Sequence, residues 1–337
     1  MGVPERVSVH SSPSGENPPP LTPEDWEVVK EIIALKKEKN ALLLAHNYQV
    51  PIIQEAADFV GDSLGLAREA QKVKDKERIV FCGVHFMAET AKILNPERKV
   101  LIPDPDAGCS LVNSISVEAL RKWKEEHPSA VVVGYVNTTA EVKAECDYCC
   151  TSANAVKVIE SIPPEKEILF LPDMFLGAYI KQKTGRKNIH IWPGECHVHA
   201  GITPKTIETA VEKHPNSELF VHPECGCSTN CMYLSSTGAL PVPIKILSTS
   251  GMVKEAEKSP SKEILVATEI GILHQLRKRA QQKKFIPVSE NAICEYMKMI
   301  TPEKVLRSLR EDIYPVEVPE EVRKKALKAI QRMVEIG

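Results

Sequence analysis

Three cysteines, Cys109, Cys196 and Cys294, recur at intervals of 196−109=87 and 294−196=98 residues, each a little beyond a short apolar run: KVLIPDPDAGCS, NIHIWPGECHVH and KKFIPVSENAIC. Thiolates are soft ligands. Three brought to one point could hold zinc with an open fourth position, or a 4Fe-4S cluster with one iron left without a protein ligand. An open metal position polarises a carboxylate or hydroxyl oxygen and helps hydroxide depart, so the chemistry would be dehydration rather than electron transfer. Spacing does not choose between iron and zinc.

Groups that exchange protons near neutral pH accompany the thiols. His46, Tyr135 and His222 occupy one equivalent place in ALLLAHNY, AVVVGYVN and ELFVHPE, at spacings of 135−46=89 and 222−135=87. Glu224, paired with His222 two residues away on an extended segment, is expected as general base, with His46, Tyr48 and Tyr135 orienting substrates and shuttling protons. Asn137 follows Tyr135 by two residues, so strand alternation puts both on one face, where its amide can bond a substrate carboxylate. His199 lies three residues after Cys196 and is a further candidate; His85, His190, His197 and His274 have less context.

These residues sit in a repeat. Asp62-Ser63-Leu64-Gly65, Thr151-Ser152-Ala153-Asn154 and Thr249-Ser250-Gly251-Met252 each precede a helical run, an alignment that makes Ser250 the equivalent of Ser63 and Ser152. RIVFCGVHFMAETAKIL, EILFLPDMFLGAYIKQ and EILVATEIGILHQLRK then give a buried strand, a polar turn and a helix, before the cysteine segments. Four landmarks in the same order three times mark an internal repeat. Short apolar runs alternating with amphipathic helices predict an α/β fold: three homologous three-layer α/β/α domains with parallel sheets around a pseudo-threefold axis. The boundaries are 23–110, 111–198 and 199–300, followed by a helical segment over 301–337 that closes the ring against the first or third unit. Ligands of such sheets bind beyond the carboxyl ends of the strands, which puts the site at the centre.

Composition excludes several classes. A net charge of −2 carries no signature of a nucleic-acid partner, and no apolar run reaches membrane-spanning length. Residues 1–22 read as a disordered tail without a signal-peptide core or a myristoylation pattern. Ten cysteines without a secretion signal indicate a reducing, cytoplasmic setting. Cys82 reads as a small buried hydrophobe. Cys146, Cys149 and Cys150 form one local run, and Cys225, Cys227 and Cys231 form a CxCxxxC run able to wrap a structural metal or act as a redox pair.

Motifs spread over all three repeats resemble quinolinate synthase: HNYQ at 46–49, GDSL at 61–64, PDAGCS at 105–110, GYVNTTAEVK at 134–143, CTSANA at 150–155, PGECHVHAGI at 193–202, HPEC at 222–225, STSGM at 248–252 and VATEIGILHQL at 266–276. The likeness runs from about residue 23 to about residue 310. The resemblance implies condensation of iminoaspartate with dihydroxyacetone phosphate to quinolinate, two waters and phosphate in NAD biosynthesis. It also implies a 4Fe-4S cluster held by Cys109, Cys196 and Cys294, and coupling to an aspartate oxidase or dehydrogenase that supplies the imine. Its substrate-binding set maps onto His46, Ser63, Tyr135, Val136, Asn137, Ser152, His199, His222, Pro223, Glu224 and Thr249, the family pattern choosing Thr249 over Ser250. Ser63, Ser152 and Thr249 stand where helices begin and could bind the phosphate and carboxylates, or serve only as caps. Two other readings use the same residues: a zinc-dependent lyase or hydrolase on the three cysteines, and a non-catalytic repeat scaffold with a structural metal at CxCxxxC.

Overall fold

The computed structural model describes residues 20–237 and 240–337. The disordered tail expected over residues 1–22 lies almost wholly outside the described residues. Its last residue belongs to the fold: Thr22 caps the helix Pro23–Glu38 in a reciprocal pair, the Asp25 N–H donating to Thr22 Oγ1 at 3.1 Å and the Thr22 N–H to the Asp25 carboxylate at 2.8 Å.

Twelve strands form three separate four-stranded sheets. The first contains β1 (Ala41–His46), β2 (Phe59–Gly61), β3 (Arg78–Cys82) and β4 (Lys99–Leu101). The second contains β5 (Val131–Tyr135), β6 (Tyr148–Cys150), β7 (Ile168–Leu171) and β8 (Ile189–Ile191), and the third β9 (Glu218–Val221), β10 (Ile244–Ile246), β11 (Glu263–Ala267) and β12 (Lys284–Pro287). Every pairing is parallel, and each sheet runs second, first, third, fourth. The chain therefore winds to one side of its first strand and then crosses to the other, which opens a crevice at the carboxyl ends where the direction reverses. Runs such as Leu43–Ala45, Ile168–Leu171 and Leu219–Val221 are buried throughout, as strands covered on both faces must be. These are the three α/β/α domains that the apolar runs predict.

Strand register aligns the repeats without reference to side chains. Ala45, Gly134 and Val221 face the last residues of the third strands, Cys82, Leu171 and Ala267. The next residues, His46, Tyr135 and His222, are therefore equivalent. The same three residues face Val60, Cys149 and Ile246 across the second strands, and counting three onward from those reaches Ser63, Ser152 and Thr249. This corrects the alignment that equated Ser250 with Ser63. The true cap positions are Asp62 and Ser248, whose side chains accept the N–H groups of Gly65 and Gly251 at 2.9 and 3.2 Å. Ser63 and Thr249 are the first helical residues of Ser63–Lys72 and Thr249–Lys258, so their hydroxyls are not the caps.

The main apolar core runs through the first and second units and one face of the third sheet, including Phe220, Val266 and Phe285. The opposite face of the third sheet, with Leu219, Val221 and Leu265, forms a core of its own. The chain after residue 300 ties units together. Helix Pro302–Glu311 packs on Pro23–Glu38 and β3, and the following segment covers the free edge of β4, with Ile102 N–H donating to the Tyr314 carbonyl and Val316 N–H to that of Val100. The last helix, Glu320–Glu335, lies on β6, Ala140–Lys143, His85–Leu94 and Ser63–Lys72. It joins the second unit to the first, rather than reaching the third. No helix among the described residues is long and apolar enough to cross a membrane.

Asn154 fastens this last helix. Its Nδ2 donates to the carbonyls of Met333 and Ile336 at 2.8 and 2.7 Å, while its Oδ1 accepts the Thr151 N–H at 2.8 Å. Asn154→Ala should cost about 2 kcal/mol, since buried backbone groups lose their partners. The check is the thermal midpoint, which should fall while far-ultraviolet circular dichroism is retained; an unchanged midpoint would mean that the apolar face of the helix suffices.

Candidate active site and metal centre

One cavity lies where the carboxyl ends of the three sheets meet, and all three units line it. Cys109, Ser63, His46 and Tyr48 come from the first; Tyr135, Asn137, Ser152 and Cys196 from the second; and His199, His222, Glu224, Thr249 and Cys294 from the third. Val136 and Pro223 are set back from it. Val136 is buried and its N–H is committed to the Cys150 carbonyl at 2.9 Å, while Pro223 is buried in the turn after β9.

Of the ten cysteines, Cys109, Cys196 and Cys294 are the three that are not fully buried. Each follows the last strand of its sheet and precedes a turn whose amides face the sulfur: Leu111 and Val112 for Cys109, Val198 and His199 for Cys196, Met297 for Cys294. Burial pushes the Cys109 thiol up to about 11 and Cys294 up to about 12, and raises Cys196 further, with the neighbouring cysteine sulfurs adding to the shift of Cys196 and Cys294. A bound cation reverses that cost, because metal coordination deprotonates a thiol outright. The sulfurs are also spread. Zinc–sulfur bonds of ~2.3 Å put two ligands of one ion about 3.8 Å apart, whereas these three sulfurs do not form a set lying within 4.8 Å of one another. The set is therefore not closed around a single zinc ion, and one thiol from each unit is a donor set that an iron–sulfur cluster could take.

The CxCxxxC run behaves otherwise. Cys225, Cys227 and Cys231 are buried in the separate core of the third unit, with Cys225 Sγ donating to the Ala267 carbonyl at 3.1 Å. Among the described residues no metal-ligating set of three forms there, nor at Cys146, Cys149 and Cys150. All six thiols are buried, with Cys227 in hydrogen-bond contact with Cys225 and Cys231 and Cys146 Sγ donating to the Val142 carbonyl at 3.2 Å.

Beside the cysteines lies a chain of acid–base groups. Tyr135 hydroxyl donates to Glu224 Oε1, Glu224 Oε2 lies 3.1 Å from His199 Nδ1, His199 Nε2 lies 2.8 Å from Thr268 Oγ1, and Thr268 Oγ1 lies 2.5 Å from the Tyr48 hydroxyl. The expected pairing of the Glu224 carboxylate with His222 is not what forms. The chain turns after His222, with the Cys225 N–H donating to the His222 carbonyl at 3.0 Å, and this turn carries the carboxylate to His199. His222 meets Glu224 through the backbone: its Nδ1 accepts the Glu224 N–H at 3.4 Å, as His46 Nδ1 accepts the Tyr48 N–H at 3.2 Å. Both rings therefore carry their proton on Nε2, and His222 Nε2 donates to Ser152 Oγ at 3.2 Å. Burial holds His46 and His199 down at about 3 and His222 well below its ordinary value, so all three imidazoles are neutral. Burial also pushes Glu224 up to about 8.

Several residues that matter here were not singled out in the sequence. Glu269 and Asp173 occupy equivalent places two residues past Ala267 and Leu171, the register partners of Val221 and Gly134. Glu269 Oε1 accepts the Cys294 N–H at 3.2 Å, and the Asp173 carboxylate faces the Cys196 N–H. The first repeat has Val84 there. Glu269 also pairs with Lys298 at 2.8 Å, and Lys298 Nζ donates to the Tyr48 carbonyl, so one buried ion pair fixes the loop of a cysteine and the backbone of a cavity tyrosine. The available signal was a carboxylate directly after an apolar strand, in LPD and ATE. Asn137 presents a buried Oδ1 without a protein partner, with its Nδ2 4.0 Å from Cys109 Sγ, leaving an acceptor for a ligand to satisfy.

Fold and site together define a class: a triplicated parallel α/β protein whose thiols, one per unit, share a cavity with buried acid–base groups. The family model described as quinolinate synthetase A protein matches residues 30–335, extending past the motifs into the last helix. A quinolinate synthase of Mycobacterium sp. (strain KMS) is 55% identical over 315 residues, 93% of this chain and 93% of its own length. One from Thermus thermophilus is 54% identical over 310 residues, 92% of this chain and 97% of that one, and one from Mycobacterium tuberculosis is 55% identical over 308 residues, 91% and 88%. The chain belongs to the quinolinate synthetase A family, a family of enzymes.

Removing one member of the buried pair exposes its importance. Glu269→Ala leaves the Lys298 ammonium buried and unpaired, a change that costs about 3–5 kcal/mol. The double variant Glu269→Gln with Lys298→Met should recover most of that loss in urea unfolding, whereas equal stability of all three proteins would show that water replaces the missing partner.

Proposed function

We propose that this enzyme condenses iminoaspartate with dihydroxyacetone phosphate to give quinolinate, two waters and phosphate, in the route to NAD. The observation that carries the reading is the meeting of three partly exposed thiols, one from each unit, with the Tyr135–Glu224–His199 chain in one cavity. The names of the relatives support it. Cys109, Cys196 and Cys294 would hold a 4Fe-4S cluster, whose iron without a protein ligand supplies a Lewis acid.

The protein groups account for the rest. Both substrates are anionic, and the cavity is lined by the helix amino ends at Ser63 and Thr249 and by the turn at Ser152, a setting that favours anions. Asn137 adds an amide oxygen without a protein partner, an acceptor for a substrate N–H or hydroxyl. Glu224, pushed up to about 8 between Tyr135 and His199 Nδ1, exchanges its proton near neutral pH, so its carboxylate form can take a carbon-bound proton during tautomerisation and the acid so formed can give that proton to a departing oxygen. Thr268 links this chain to Tyr48, which gives protons a second exit across the cavity. Neutral His46 and His222 donate through Nε2 without adding charge. An aspartate oxidase or dehydrogenase would supply the unstable imine.

A second reading draws on a different set of ligands. Cys196 Sγ, one nitrogen of His199 and a Glu224 oxygen lie within 4.8 Å of one another, a geometry suited to a zinc-dependent lyase. Anaerobic purification with iron, sulfide and zinc assays separates the two. The synthase reading expects a brown protein with about four irons and four sulfides per chain, lost in each of Cys109→Ala, Cys196→Ala and Cys294→Ala. Stoichiometric zinc that survives Cys109→Ala and Cys294→Ala but is lost in Cys196→Ala would replace it with the lyase. Glu224→Gln should lower quinolinate formation by about 10²–10⁴-fold while the visible absorption persists; normal turnover would remove Glu224 from the mechanism.

A further inference from the structure

On the second unit, at the end of the sheet away from the cavity, two imidazoles close on one carboxylate. His127 ends the helix Val117–Glu126, Glu167 stands directly before β7, and His190 is the middle residue of β8. His127 Nδ1 lies 2.9 Å and His190 Nε2 2.7 Å from the same oxygen, Glu167 Oε1, and the two rings are 4.5 Å apart. The ligand atoms of all three residues lie within 4.8 Å of one another. We propose that His127, Glu167 and His190 form a binding site for a divalent transition ion of the zinc class, separate from the central cavity.

The chemistry of the donors sets the ion. Two imidazole nitrogens and one carboxylate oxygen are a borderline set that suits zinc, with water in the fourth position. Zinc–ligand bonds of ~2.0–2.1 Å place tetrahedral ligands about 3.3 Å apart, so the nitrogen–oxygen separations must widen by roughly half an ångström, which rotation of the partly exposed Glu167 side chain provides. The histidines are less free. The His127 N–H is tied to the Lys124 carbonyl, its ring meets Trp123 edge-on at 6.4 Å, and Trp123 packs on Trp192 at 5.5 Å. His190 is held by its strand in register with Leu169, and the Glu167 carbonyl accepts the Val131 N–H at 2.8 Å. Ligands carried on fixed backbone need little reorganisation to bind. His190 is 43% exposed at its side chain, so an ion reaches the site from solvent. Bound there, it would clamp the free edge strand β8 to the start of β5 and β7.

Two of the three tryptophans of the chain adjoin this site, which gives an optical readout. Protein purified with its metal centre intact would be exposed to zinc ions, desalted and analysed, beside His190→Ala and Glu167→Gln treated in the same way. Wild type should retain one more zinc per chain than His190→Ala and unfold at a higher temperature after loading. Copper ions should quench its tryptophan fluorescence at concentrations at least tenfold lower than in the variant. Equal zinc retention and equal quenching in wild type and His190→Ala would overturn the site, leaving a hydrogen-bonded surface cluster. Any zinc that reaches the central cysteines is common to both proteins and cancels in the comparison.

Discussion

The arrangement rests on the parallel pairing of the first strand of each sheet with the third, in one register repeated three times. That pairing decides which residue leaves the sheet first and toward which side. Because Ala45, Gly134 and Val221 stand opposite Cys82, Leu171 and Ala267, the groups that follow them converge, and so do the loops that carry the cysteines. Backbone hydrogen bonds across a ladder do not depend on side-chain identity, so one framework carries different side chains at its ends.

What the framework encloses is unusual in its electrostatics. Three imidazoles and a carboxyl are buried together, and desolvation drives each toward its neutral form. The charged groups at its wall are then the Glu269–Lys298 pair and the Asp62 carboxylate, which the Gly65 N–H and the Ser248 hydroxyl hold in place. Under the proposed function, attraction for the anionic substrates would fall to backbone dipoles and hydroxyls, which need no counterion and do not reorganise as charge moves.

Much of this was legible in the sequence, for physical reasons. A ligand from each unit must recur with the unit, so Cys109, Cys196 and Cys294 stood out from seven other cysteines by period alone. Buried parallel strands need unbroken apolar runs, so the sheets could be counted. The misalignment of Ser250 arose where two adjacent hydroxyl residues, Thr249 and Ser250, offered two matches and only the ladder could choose. Glu269 and Asp173 escaped notice because they act on backbone N–H groups 294−269=25 and 196−173=23 residues away, and backbone leaves no mark in a sequence. His199 and Glu224 met for a similar reason: a turn of a few residues after β9 redirected a side chain that strand alternation would have sent elsewhere.

The register also explains how a threefold framework serves a reaction without threefold symmetry. Each unit delivers two addresses, the residue just past the last one paired with its third strand and the one two further on, and they hold His46 and Tyr48, Tyr135 and Asn137, His222 and Glu224. Three identical sets would favour a ligand with three identical arms. Different side chains at equivalent addresses instead give one cavity three unlike walls, so that a common backbone fixes an imidazole, a phenol and a carboxyl group around a single space.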